Sequence, residues 1–332
     1  MGSPPPAAGA EAIVASGLKR AFGATEAVRG VDLSVPRGEI YGFLGPNGAG
    51  KTTVVRMLCT LLRPTSGSAT VAGFDVVRHP GDVRLRIGAA LQEAALDPEQ
   101  TGIELLRLQA RLFGLRTQDS ARRIAELTEL VDLGSALDRQ VKTYSGGMRR
   151  RLDLALALVH EPEVLFLDEP TTGLDPVSRR EVWAEVRRLN AERGLTVFLT
   201  TQYLEEADEL AARVGIIADG AIVAEGSSEE LKRRVGRDMV VVQLDGDIEA
   251  AARLVGGLQD VERVEQLGSE LSLAVTDGPA AIPVVAGALA DVPGVAVREM
   301  ALRRPTLDDA FFALTGQAPK AASQPQQSRD AA

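Results

Sequence analysis

Gly45-Pro46-Asn47-Gly48-Ala49-Gly50-Lys51-Thr52 constrains this chain more than any other stretch. Its glycines let backbone N–H groups converge on a phosphate, an arrangement that sits between a strand and the free N–H groups of a helix start. Both flanks agree. Glu39 to Leu44 reads as a strand entering the loop, and Lys51 to Leu62 as the helix leaving it. In such a loop Lys51 neutralises β- and γ-phosphate oxygens, the Thr52 hydroxyl is placed for Mg²⁺, and the cradle runs from Gly45 to Thr53.

Two later stretches add chemistry. Leu165-Phe166-Leu167-Asp168 is an apolar strand ending in a carboxylate, which puts Asp168 at the rim of a sheet, where it can hold Mg²⁺ directly or through water. Upstream, in Tyr144-Ser145-Gly146-Gly147-Met148, Ser145 and two glycines open a helix whose free N–H groups can meet a phosphate. Alone, one reads as a glycine turn before an amphipathic helix, and Asp168-Glu169 as two solvated acids. Their order behind the phosphate loop changes both readings.

In that order the chain resembles the ATP-binding subunits of ABC transporters. The resemblance implies a P-loop NTPase core with a helical subdomain, and ATP and Mg²⁺ as ligands. Ser145, Gly146 and Gly147 would then close over ATP held by a second copy, and Glu169 would be the general base or water-positioning carboxylate. Gln92, at the end of Ile87-Gly88-Ala89-Ala90-Leu91, matches the loop that senses Mg²⁺ and nucleotide and leads toward the transmembrane partner. Gly173-Leu174-Asp175 matches the loop that crosses the dimer interface. Phe22 stands where relatives carry an aromatic that stacks on adenine, a contact of about 0.5–1.5 kcal/mol; packing of Phe22 in the core is the alternative. One departure concerns catalysis: Thr200-Thr201-Gln202 replaces a common Thr-Thr-His, and Gln202 can donate an amide N–H to a γ-phosphate but cannot become charged. The chain's 2 histidines, His79 and His160, lie outside these motifs and are expected at the surface.

Thr-Thr-Gln-Tyr-Leu, the stretch Tyr144 to Asp153 and Leu307 to Gly316 together resemble the daunorubicin/doxorubicin-resistance group of these subunits. That resemblance implies a head-to-tail homodimer paired with a separately encoded permease, driving efflux of a hydrophobic drug or lipid from the cytoplasmic face of the membrane. A soluble ABC ATPase acting on nucleic acid or ribosomes is the rival class. Against it stand a net charge of −9, no cysteine pairs, and a single ATPase unit without a long insert.

Short apolar runs alternate with helical patterns from Ala12 to Ala224, an α/β arrangement interrupted by a helical insert over about 93–159. Beyond it, the order strand, helix, strand, strand, helix, strand predicts a small ferredoxin-like α+β domain. The expected division is a loose tail at 1–10, the ATP-binding domain at 11–236, the accessory domain at 237–317 and a second tail at 318–332. The first ten residues lack the basic and apolar regions of a signal peptide. Ala280 to Ala290, broken by Pro283, is far short of the roughly 20 apolar residues a membrane span needs. Cys59, the 1 cysteine, is expected as a small buried thiol, which fits a reducing compartment.

Overall fold

The computed structural model describes residues 11–91 and 96–316, and the chain parts between Ser228 and Glu229 into two units. The first begins with a hairpin, β1 (Glu11–Phe22) and β2 (Thr25–Pro36), then β3 (Ile40–Leu44), α1 (Lys51–Leu58), β4 (Ser66–Val71), β5 (Phe74–Asp75), α2 (Pro80–Arg84) and β6 (Ile87–Ala90). The helical insert follows as α3 (Gly102–Leu112), α4 (Thr117–Val131) and α5 (Gly146–Leu158). Alternation resumes with β7 (Val164–Asp168), α6 (Pro176–Arg193), β8 (Thr196–Thr201), α7 (Leu204–Leu210), β9 (Arg213–Ala218) and β10 (Ala221–Gly226).

Among the described residues this unit holds two sheets. One has the order β10-β9-β3-β8-β7-β6, parallel except for β10; the other, β2-β1-β4-β5, is antiparallel. Every residue of β3, β7 and β8 is buried, as expected of parallel strands covered on both faces. Alternate side chains serve different cores. Tyr41, Phe43 and Phe166 gather about Phe198 with ring centroids 5.5–5.7 Å apart, in one cluster with Ile13, Leu18 and Val71 of the antiparallel sheet. Leu165, Leu167, Val197 and Leu199 pack instead with Leu152 and Leu158 of α5 and Trp183 and Val186 of α6.

α1 stops at Leu58, short of the expected Leu62. Thr60 takes a left-handed φ of 63°, and the Leu61 and Leu62 amides both donate back to the Arg56 carbonyl, at 2.8 and 3.0 Å, which ends the helix. Cys59 is buried, and burial pushes its thiol up. His160 corrects the surface expectation: it is half-buried, stacked on Phe113 at 3.7 Å, with Nε2 2.9 Å from the Ile87 carbonyl. His79 is exposed.

The second unit contains α8 (Ser228–Val235), apart from its first residue, so it begins before the expected boundary at 236/237. It continues with β11 (Asp238–Asp245), α9 (Ile248–Val255), β12 (Val261–Leu267), β13 (Glu270–Val275), α10 (Gly278–Ala290), β14 (Ala296–Arg303) and α11 (Leu307–Thr315). The sheet order β12-β13-β11-β14, antiparallel throughout, is the ferredoxin-like arrangement. Val240, Val242, Leu271 and Leu273 of the sheet close a core with Ala251 and Val255 of α9 and Val285 and Leu289 of α10.

Candidate active site

β3, β6, β7 and β8 run in one direction, so their carboxyl ends share an edge, where ligands bind in such sheets. β3 delivers the phosphate loop, β7 ends at Asp168, and β8 ends just before Gln202. Gln92, beyond the end of β6, lies outside the described residues.

Gly50 caps α1 with φ at 105°, and a Cβ there would lie 2.6 Å from the Ala27 carbonyl oxygen, so the position excludes any side chain. That close approach brings the β1–β2 hairpin against the loop. Lys51 follows, only 4% exposed, with Nζ donating to the Gly45 and Pro46 carbonyls at 2.8 and 3.2 Å and lying 3.4 Å from Glu169 Oε1. Burial lowers the Lys51 pKa, and the Glu169 and Asp168 carboxylates oppose the shift.

Asp168 is 1% exposed. Its Oδ1 accepts from the Thr200 hydroxyl at 2.5 Å and lies 3.3 Å from the Thr52 hydroxyl; Oδ2 is buried with no hydrogen-bond partner among the described residues. An orphaned buried carboxylate oxygen beside a hydroxyl suits a hard cation. Among the described residues no three acidic, histidine or cysteine side chains gather into a metal cage. Glu169 sits in the left-handed region at φ 50°. Its amide donates to the Thr200 carbonyl and hydroxyl oxygens, both at 3.1 Å, and Oε2 accepts from the Thr172 hydroxyl at 3.2 Å. Thr200 therefore fixes both acids. Reading the motifs missed it, although a polar residue at the end of an apolar strand was the available signal.

A cavity of about 280 Å³ opens here, lined by Ala27, Asn47, Gly48, Gly50, Lys51, Thr52, Thr53 and Glu169. Ala49 is buried behind it. Gly45, Pro46, Ala49 and Asp168 are not part of this lining, nor are Ser145, Gly146, Gly147, Asp175, Gln202 and Phe22. Ser145 is exposed and caps α5, accepting from the Met148 amide at 3.2 Å, with Gly146 exposed and Gly147 buried behind it. Asp175 caps α6, with Oδ1 accepting from the Val177 and Ser178 amides at 2.9 and 3.0 Å and Oδ2 from the Ser178 hydroxyl at 2.6 Å. Those bonds hold its carboxyl below the usual range. Gln202 is half-buried after β8. Phe22 is 48% exposed with the Arg20 guanidinium 4.5 Å above its ring, so the core does not claim it.

The ABC transporter profile matches residues 28–172, and the profile for the C-terminal domain of DrrA1-3-like ATP-binding proteins matches residues 226–315. The daunorubicin resistance ATP-binding protein DrrA3 of Streptomyces coeruleorubidus is 50% identical over 310 residues, 92% of this chain and 96% of that protein. The chain belongs to the daunorubicin-resistance group of ABC transporter ATP-binding proteins. As an ABC ATPase of this group it is also similar to the linearmycin resistance ATP-binding protein LnrL of Bacillus subtilis, at 35% identity over 91% of this chain and 97% of that one. A solved dimeric ATP-binding cassette with ADP and Pi superposes with a TM-score of 0.60 at 23% identity, over 65% of this chain and 98% of that one, a likeness of fold.

Proposed function

We propose that this ABC ATPase powers efflux of a hydrophobic drug or lipid through a separately encoded permease, from the cytoplasmic face of the cell membrane. Among the described residues no helix is long and apolar enough to cross a membrane, so the path for cargo is assigned to the partner. The names of its relatives, which include daunorubicin and linearmycin resistance proteins, support the cargo class. The observation that carries the catalytic reading is the convergence of Lys51, Thr52 and Glu169 on one cavity, with Asp168 behind Thr52.

Phosphates lie against the loop N–H groups and Lys51, whose ammonium is already poised 3.4 Å from the catalytic carboxylate. Asp168 Oδ2 and the Thr52 hydroxyl would hold Mg²⁺, with Gln92 as a further contact; the chemistry it would supply there is stabilisation of negative charge on the phosphoryl oxygens. Glu169 takes the proton of the attacking water. Gln202 donates to the γ-phosphate and Phe22 stacks on adenine. Ser145 to Gly147, which match the family's signature and are not part of the cavity that their own chain lines, serve the nucleotide of a second copy, in a head-to-tail homodimer whose interface includes the Asp175 loop.

Glu169→Gln tests this. The variant keeps its ATP affinity, loses turnover and accumulates as an ATP-dependent dimer on gel filtration, whereas Lys51→Ala loses affinity itself. Turnover in Glu169→Gln near the wild-type rate would overturn the assignment.

A further inference from the structure

One side chain in the stretch Tyr144 to Asp153 has been given no role of its own in this site, although it bridges two of its strands. Arg150 stands on α5, the helix capped by Ser145, with its side chain 12% exposed. Nη1 donates to the Leu91 carbonyl at 3.1 Å and to Asp153 Oδ2 at 3.0 Å; Nη2 donates to the carbonyls of Ala90 at 3.3 Å and Asp168 at 3.4 Å. One planar group thus spans the carboxyl ends of two neighbouring strands, β6 and β7. The first leads into Gln92, and the second ends beside Glu169. α5 can lie this close because position 88 is glycine, where a Cβ would fall 2.3 Å from the Ala157 carbonyl oxygen.

Burying a guanidinium and a carboxylate together does little for stability that apolar residues of similar volume could not do. What the pair supplies is direction. Asp153, 13% exposed and one helical turn along α5, holds one edge of the fork while the other edge addresses β7. A lysine ammonium, a point donor on a flexible stem, could not reach both strand ends in one fixed plane.

We infer that Arg150 is a positioning residue of the ATPase reaction, carrying the position of the Ser145–Gly147 helix end to Asp168 and Glu169 and to the strand that leads to Gln92. The inference rests on the proposed role of Ser145–Gly147 toward a second copy's nucleotide. When that helix end engages phosphate, α5 moves as a rod, and Arg150 moves the backbone on which Asp168 is carried.

The full-length protein, reconstituted in liposomes with its permease, serves as the test, comparing Arg150→Met, Arg150→Lys and Glu169→Gln. Affinity is read with a fluorescent ATP analogue, turnover by phosphate release, and folding by thermal melting. Arg150→Met should bind nucleotide within about twofold of wild type and lose at least about tenfold in kcat, since small misplacements of catalytic groups are that damaging. Arg150→Lys should recover only part of the rate at unchanged affinity. A folded Arg150→Met with wild-type kcat overturns the inference, as does an equal loss of affinity and rate, which would mark a packing role. Should Arg150→Met not fold, Arg150→Lys decides: a reduced kcat at unchanged affinity supports the inference, and a wild-type kcat overturns it. Turnover in Glu169→Gln would instead strike the functional reading, whatever Arg150 does.

Discussion

A carboxyl group with no exposed surface has to find donors inside the protein. Glu206 is 0% exposed on α7, and its Oε1 accepts from the Thr171 hydroxyl at 2.8 Å and the Trp183 indole N–H at 2.9 Å. Burial pushes its pKa up. Thr171 belongs to the loop between Glu169 and Asp175, so Glu206 braces that loop against α6 and α7. Glu206→Leu should lower stability by about 2–5 kcal/mol in urea titration, because two buried donors lose their acceptor. Glu206→Gln, which keeps an amide oxygen, should lose distinctly less; equal losses would mean the pocket requires charge. Lys51, Asp168 and Glu169 were legible as candidates because the glycine loop, the apolar strand before Asp168 and their order along the chain together form one pattern. Glu206, Thr200 and Arg150 were not, because their partners lie in distant segments, and Glu205-Glu206 reads by itself as a solvated acidic face.

Strands and helices divide in the same way. β3, β7 and β8 declare themselves by the short apolar runs Ile40 to Leu44, Val164 to Leu167 and Val197 to Leu199, since both of their faces are covered. β1 and β2 do not, because Lys19, Arg20, Glu26 and Arg29 interrupt their apolar residues, and it is pairing, of β1 with both β2 and β4, that makes them part of a sheet. The groove between β6 and α5 shows what such packing does to titration. His160 is held below its ordinary 6.5 by burial and by the Arg123 charge, against the pull of the Ile87 carbonyl. Its contribution to stability is complete above pH 6.5 and is lost as pH falls through its lower folded value. Asp153 lines the same groove and is pushed up from 3.8 to about 6 by burial, so its contribution has the opposite sign, present at low pH and lost as pH rises toward 6. Urea midpoints measured from pH 8 to pH 5 should therefore fall less steeply for His160→Gln than for wild type, and more steeply for Asp153→Asn. Parallel curves for all three would remove the electrostatic account.

At the scale of the whole chain, nucleotide chemistry and the ferredoxin-like fold are carried by separate units with separate cores. A chain ending at Ser228 should keep ATP affinity, measured with a fluorescent analogue, while its retention on permease-containing membranes falls. Retention equal to that of the full chain would deny the second unit any part in assembly. The helix end at Ser145, standing outside the cavity that its own chain lines, has a consequence for inheritance as much as for mechanism. Lys51→Ala spoils the loop; Gly146→Asp, whose Cβ meets only ordinary contact with Leu174 at 3.6 Å, sets a carboxylate where the second copy's phosphate is proposed to lie. Each variant alone forms pairs with both sites broken. In a mixed pair both lesions fall in one site and the other is whole, so equal amounts of two inactive proteins should regain about a quarter of the wild-type sites when subunits exchange freely. Co-expression with the permease, read as ATP turnover or drug tolerance, would show whether two defective alleles complement each other, and continued inactivity of the mixture would mean that each chain builds its site alone.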